Sequence, residues 1–199
     1  MEIDFEKIFK DLKGCFIDYD TLSKKYRPSE IRLLIVGNAP PRWRYFYKED
    51  VKEFDGLFLA VAKSMNPELT EMYKRSRTPE IKKMLLDEFK NIGGYLMDIY
   101  PQPEEDCKLT GELSYWIDDF KKRIKDIPLS PSAKIVLCHK NSWQLQTFFG
   151  YKGYSVEKLN CPVQRNQSTD NSEYQGTFVR KVSRIFLTLK DGKAADENF

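Results

Sequence analysis

Histidine occurs once in this chain, as His139, and the four cysteines, Cys15, Cys107, Cys138 and Cys161, are far apart with no C-x-x-C pair. Tetrahedral zinc and iron-sulfur sites draw at least two ligands from one tight turn, so the spacing argues against both, and the cysteines read as reduced thiols. No metal and no cofactor is expected. Chemistry that needs two imidazoles is excluded, and a Cys-His dyad would have to use His139. Long apolar runs are missing too. Ile31 to Gly37 is among the longest, far short of the roughly 20 residues of a membrane-spanning helix, and no membrane partner is expected. The start, Met1-Glu2-Ile3-Asp4-Phe5-Glu6, is acidic and lacks the basic region and apolar run of a signal peptide, which predicts a cytoplasmic protein. Excess charge of one sign is absent as well: 33 basic against 30 acidic side chains leave a net charge of +3. Any basic footprint must therefore be local. What remains is 199 residues, 41% hydrophobic, enough for one core that buries roughly 70% of the unfolded surface without staples. The expectation is a single domain over residues 1–190, a flexible tail over 191–199, and a monomer.

Ile3, Phe5, Ile8, Phe9 and Leu12 recur at helical spacing and predict an opening helix ended by Gly14. A short helix before Arg27-Pro28 is the next element. Ile31 to Val36 is a bounded, nearly unbroken apolar run, the pattern of a buried parallel strand, and Gly37 ends it. The prolines and dense aromatics of 38–50 predict a loop, with Asp50 capping the helix that carries Phe54, Leu57, Phe58, Val61 and Met65. Pro67 and Thr78-Pro79 mark helix starts. Tyr95 to Ile99, Ala133 to Cys138 and Ser155 to Leu159 read as further strands. Helices are predicted over Leu113–Ile127, Ser142–Phe149 and a final segment with Phe178, Val182, Ile185, Phe186 and Leu187, after a polar loop from Asn160 to Tyr174. The alternation predicts an α/β fold: a three-layer α/β/α sandwich around a short, mainly parallel four-stranded sheet.

In open α/β sheets ligands bind beyond the carboxyl ends of the strands, here Gly37, Asp98 to Pro101, Cys138-His139 and Cys161 to Gln167. Asn38, Asp98, His139 and Gln164 are expected at one edge. Gly37-Asn38-Ala39-Pro40-Pro41 is a turn stiffened by two prolines; it either aims Asn38 and a bound water at a ligand or leaves Asn38 to satisfy local backbone. Arg42, Arg44, Lys140 and Arg165, interleaved with Trp43, Tyr45, Phe46 and Tyr47, suit a phosphate backbone and an unstacked base, or else are ordinary surface. Asp118-Asp119 and Glu104-Glu105-Asp106 read as solvated faces rather than metal ligands. Cys138 and His139, adjacent at a strand end, point to opposite faces, so Cys138 reads as a buried thiol. Tyr115-Trp116 reads as helix core.

In these motifs the sequence resembles the uracil-DNA glycosylase superfamily. Gly37-Asn38-Ala39-Pro40-Pro41 is similar to the G-E-A-P-G, G-x-D-P-Y and G-I-N-P-G loops that follow the first strand in its branches. Trp43 to Tyr47 then occupies the region of the aromatic that stacks on the extruded base. Tyr95 to Pro101 resembles the second strand, whose terminal asparagine recognises uracil, and Asp98 falls at that position. Cys161-Pro162-Val163 lies where the histidine-containing H-P-S loop belongs. The resemblance runs from residue 31 to about 187.

It implies hydrolysis of the N-glycosidic bond of a base in DNA, the base being extruded or the strand single. Asn38 would position water, Phe46 or Tyr47 would stack, and Asp98 would contact the base edge. The runner-up is a nucleic-acid or nucleotide-binding module of the same fold, and a third class is a small-molecule hydrolase. Three departures bear on the chemistry. Asn38 cannot accept water's proton. Asp98, if ionised, accepts hydrogen bonds and donates none, which disfavours uracil and suits N–H-rich bases unless the carboxyl is protonated. The catalytic-loop histidine is replaced by Cys161 or its neighbours, leaving His139 as a substitute if the loops converge.

Overall fold

The computed structural model describes residues 17–50, 54–108, 110–162 and 171–196. The predicted opening helix, and Gln164 and Arg165, lie outside the described residues.

Helix α1 spans Tyr19–Lys25 and is capped by Asp18, whose side chain accepts the Thr21 N–H at 3.0 Å. Strand β1, Ile31–Gly37, follows. Helices α2 (Gly56–Met65), α3 (Pro67–Ser76) and α4 (Pro79–Asn91) lead to β2 (Gly94–Asp98). Then come α5 (Glu104–Lys108), α6 (Leu113–Arg123) with a 3-10 turn over Ile124–Asp126, and β3 (Leu129–Leu137). A second 3-10 turn over Ser142–Leu145, α7 (Gln146–Tyr151), β4 (Ser155–Lys158) and α8 (Asn171–Asp196) complete the described chain.

The four strands form one sheet in the order β2-β1-β3-β4, and every neighbouring pair is parallel. Parallel strands need crossovers, which place helices on both faces. On one face α2, α4 and α8 pack together, with Phe46 against Phe58 and Phe89, and Phe89 against Phe186. On the other, Phe120 of α6 meets Phe149 of α7. The result is the predicted three-layer sandwich. Ile31, Leu33, Leu34, Ile35 and Val36 are fully buried because β1 is covered on both faces and paired on both edges.

Several boundaries differ from expectation. Strand β3 starts at Leu129, four residues early. Its register against β1 shifts between Ile31 and Leu33, opposite the segment that holds Pro131, whose missing N–H a bulge accommodates. Asp55, not Asp50, caps α2. The Leu113 helix passes into a 3-10 turn after Arg123. The acidic run Glu104-Glu105-Asp106 forms the first turn of α5, where carboxylates meet the positive end of the peptide dipoles. Helix α8 begins inside the predicted polar loop and continues to Asp196, into the expected tail, over residues that include the strong helix former alanine.

Sheet growth stops at β2 for a side-chain reason. The Tyr47 hydroxyl accepts the Leu96 N–H at 2.6 Å and donates to the Leu96 carbonyl at 3.1 Å. Arg123 donates to the Asp98 carbonyl at 3.3 Å and to the Ile99 carbonyl. The outward polar groups of an edge strand, otherwise a template for pairing, are thus occupied. Among the described residues no helix is long and apolar enough to cross a membrane.

Candidate functional site

From β1 the chain crosses to β2 on one side, while β3 lies on the other, so the sheet has its switch point between β1 and β3. Connections diverge there and leave a crevice at the carboxyl ends. A cavity of about 190 Å³ occupies that place, with Asn38, Phe46, Asp55, Asp98, Cys138 and His139 among its walls. A larger cleft of about 430 Å³ lies along the β2 edge beside α1. It shares Tyr45, Leu96 and Asp98 with the cavity, but no residue of β1 or β3 lines it, so the smaller one, at the switch point, is the candidate site.

Asn38 follows β1, and both ends of its amide are engaged. Nδ2 donates to Glu104 Oε2 at 2.8 Å, and Oδ1 accepts from Asn141 Nδ2 at 2.9 Å. The side chain is therefore fixed in orientation by α5 on one side and the β3 loop on the other. Glu104 is held in turn by Lys108, at 2.8 Å.

Asp98 ends β2 in register with Gly37. A Cβ at Gly37 would lie 2.1 Å from Asp98 Oδ1, so only glycine lets the carboxyl lean across the end of β1. Among the described residues none donates a hydrogen bond to that carboxyl. Burial, and then the charge of Asp55, push its pKa up to about 7, against a smaller opposing effect of Arg123. The group is therefore partly protonated near neutral pH. In that form it carries one donor and one acceptor, the same pair that an asparagine amide presents.

His139 Nδ1 accepts the Asn141 N–H at 3.1 Å, which puts the proton of the neutral ring on Nε2. Burial holds its pKa below the ordinary value, partly offset by Glu104, and the ring is neutral at pH 7. The backbone N–H of His139 donates to Ser142 Oγ at 3.1 Å, which shapes the turn after β3. Cys138 is buried and its thiol donates to the Val36 carbonyl at 3.1 Å, with burial raising its pKa well above normal, so it is a structural thiol.

Of the sequence-predicted residues, Asn38, Arg44, Phe46, Asp98 and His139 line this one cavity. Phe46 is buried and forms part of the wall. Tyr47 does not reach the cavity: it is fully buried, stacked 5.9 Å from Tyr26, with its hydroxyl committed to Leu96, so it is unsuited to stacking on a ligand. Arg42 is half-exposed and paired with Asp106 at 2.5 Å. Lys140 is exposed beside His139. Cys161 also lines the cavity.

Asp55 and Asn141 escaped the sequence reading, and Glu104, read there as part of a solvated face, instead accepts a hydrogen bond from Asn38. Asp55-Gly56 before an apolar helix was a legible cap signal, but nothing in the pattern places that cap at the end of β1. Asp55 is 7% exposed; its carboxyl accepts the Phe58 N–H at 2.8 Å, and burial raises its pKa against the pull of that N–H and of Lys82 and Arg44. Lys82, fully buried, donates to the carbonyls of Tyr45 at 3.2 Å and Lys48 at 2.6 Å, tying the aromatic loop to α4. Burial pulls its own pKa down to about 8. Among the described residues no group of three or more His, Cys, Asp and Glu is arranged to hold a metal ion.

Comparison with protein-family models, with curated proteins and with solved structures finds no match to this chain.

Proposed function

We propose that this chain is a divergent uracil-DNA glycosylase-like enzyme that hydrolyses the N-glycosidic bond of a damaged or deaminated base in DNA. The observation that carries the reading is the convergence of Asn38, Phe46, Asp98 and His139 on one cavity at the switch point of the sheet. Such a cavity suits a single flat ring, with Phe46 among its apolar walls and Asp98 and His139 for the polar edge. His139, neutral and protonated on Nε2, is a hydrogen-bond donor that can steady charge developing on a departing base without first losing a proton. Bases reach such a pocket only when extruded or single-stranded. Trp43, 64% exposed between Arg42 and Arg44, supplies a surface on which a neighbouring base can stack.

One observation favours the second reading, a nucleobase-binding module without glycosylase activity. The amide of Asn38 is fixed by Glu104 and Asn141, which leaves it one N–H and one lone pair with which to hold a water but no group that takes the water's proton. A panel of oligonucleotides carrying uracil, hypoxanthine, xanthine or ethenocytosine, followed by scission at abasic sites, decides between them. Cleavage at any one establishes the enzyme. Retention of the oligonucleotide with no cleavage establishes the binder.

A further inference from the structure

A hydrolytic glycosylase needs a group that takes a proton from water, and the Asn38 amide cannot do so. The cavity nevertheless holds two carboxyl groups in unequal surroundings. Asp55 sits at the start of α2, where its carboxyl accepts the Phe58 N–H at 2.8 Å. Lys82 from α4 and Arg44 from the aromatic loop add positive charge, and the helix N-terminus itself favours an anion. Asp98 has no such support. Its cationic neighbour, Arg123, is engaged with Asp119 at 2.6 Å and with the carbonyls of Asp98 and Ile99, and its other neighbours Tyr45 and Cys138 are neutral.

Two carboxyl groups that feel one another in a desolvated site resist double ionisation, and the proton settles on the one with fewer donors. Resting on the glycosylase reading, we propose that Asp55 is the general base of the hydrolysis and that Asp98 is its protonated partner, donating a hydrogen bond to the edge of the bound base. The proton balance is complete with water alone. As the water oxygen bonds to the sugar C1′, one of its protons passes to the Asp55 carboxylate. The bond from C1′ to the base nitrogen breaks and its electron pair leaves with the base, held by hydrogen bonds from the Asp98 hydroxyl and His139 Nε2–H. The base takes a proton from solvent on release, and Asp55 returns its own. The mutual influence of the pair is visible in the raised pKa of Asp98, to which the charge of Asp55 contributes second after burial.

Asp55→Asn separates this role from helix capping, because asparagine caps a helix about as well as aspartate. On whichever oligonucleotide the wild type cleaves, the variant is expected to lose about 10²- to 10⁴-fold in kcat with little change in KM. Independently of activity, the Asp98 titration, followed by carboxyl-carbon NMR, is expected to move to lower pH in the variant. A variant that keeps the wild-type kcat overturns the base role and leaves the glycosylase reading standing. An unmoved Asp98 midpoint overturns the pairing whatever the activity. A wild type silent on every oligonucleotide overturns the glycosylase reading and the base role with it.

Discussion

The substitution Asp98→Asn should make the fold more stable, by an amount that depends on pH in a definite direction. In the folded protein the Asp98 pKa stands near 7, against 3.8 for a free aspartate. The native state therefore binds more protons than the unfolded chain between those values, and stability falls as pH rises through that window. Each pH unit of the displacement is worth about 1.4 kcal/mol, which sets an upper bound of about 4 kcal/mol for the cost of the ionised carboxyl at pH 8. Water entering the cavity screens part of it, so about 2–4 kcal/mol is the expected gain for the neutral amide. For a chain of this length that corresponds to a Tm higher by roughly 5–15 °C. Near pH 4 the folded Asp98 is protonated, and the two proteins should melt almost together. Thermal and urea denaturation followed by circular dichroism from pH 4 to pH 8 measure the difference directly. A variant no more stable than wild type at pH 8, or a difference that does not change with pH, would refute the reasoning that Asp98 is a desolvated carboxyl to which none of the described residues donates.

Tyr47→Phe removes the hydroxyl that bridges the Leu96 N–H and carbonyl, and should cost about 1–3 kcal/mol in denaturant titration while leaving oligonucleotide affinity unchanged; weakened affinity at constant stability would return Tyr47 to the site. Gly37→Ala sets a methyl 2.1 Å from Asp98 Oδ1, and calorimetry should show a loss of about 1–3 kcal/mol or more. Replacing Arg42 and Arg44 together by alanine should flatten the salt dependence of single-strand binding by about one to two, since each lost phosphate contact removes roughly 0.7–0.9 from the slope. An unchanged slope would place phosphate elsewhere. Uracil excision by Asp98→Asn should exceed wild type above pH 7, where the carboxylate of the latter cannot donate, by about tenfold to a hundredfold, and the excess should vanish in mildly acidic buffer.

Local signals in this chain agreed with one another, which is why the element order could be read without coordinates. The unbroken run Ile31 to Val36, prolines at the first turns of α3 and α4, and turn residues after each strand all act over a few residues, and the three-layer arrangement follows from how parallel strands must be connected. The topological rule also carried Asn38, Asp98 and His139 to one edge, because strand ends converge wherever their side chains point. What the rule could not supply was side-chain fate. Tyr47 and Phe46 are adjacent aromatics in one loop, yet one lines the cavity and the other closes the sheet edge, a choice made by the position of Leu96 and Lys82. Asp55 reads locally as a helix cap. That it also faces Asp98 depends on where α2 packs, and the unequal donors around the two carboxyl groups, on which their chemistry turns, come from four segments far apart in sequence. Periodicity and turn chemistry act along the chain and were legible from it. Desolvation and charge pairing act through space, and only the folded arrangement decided them.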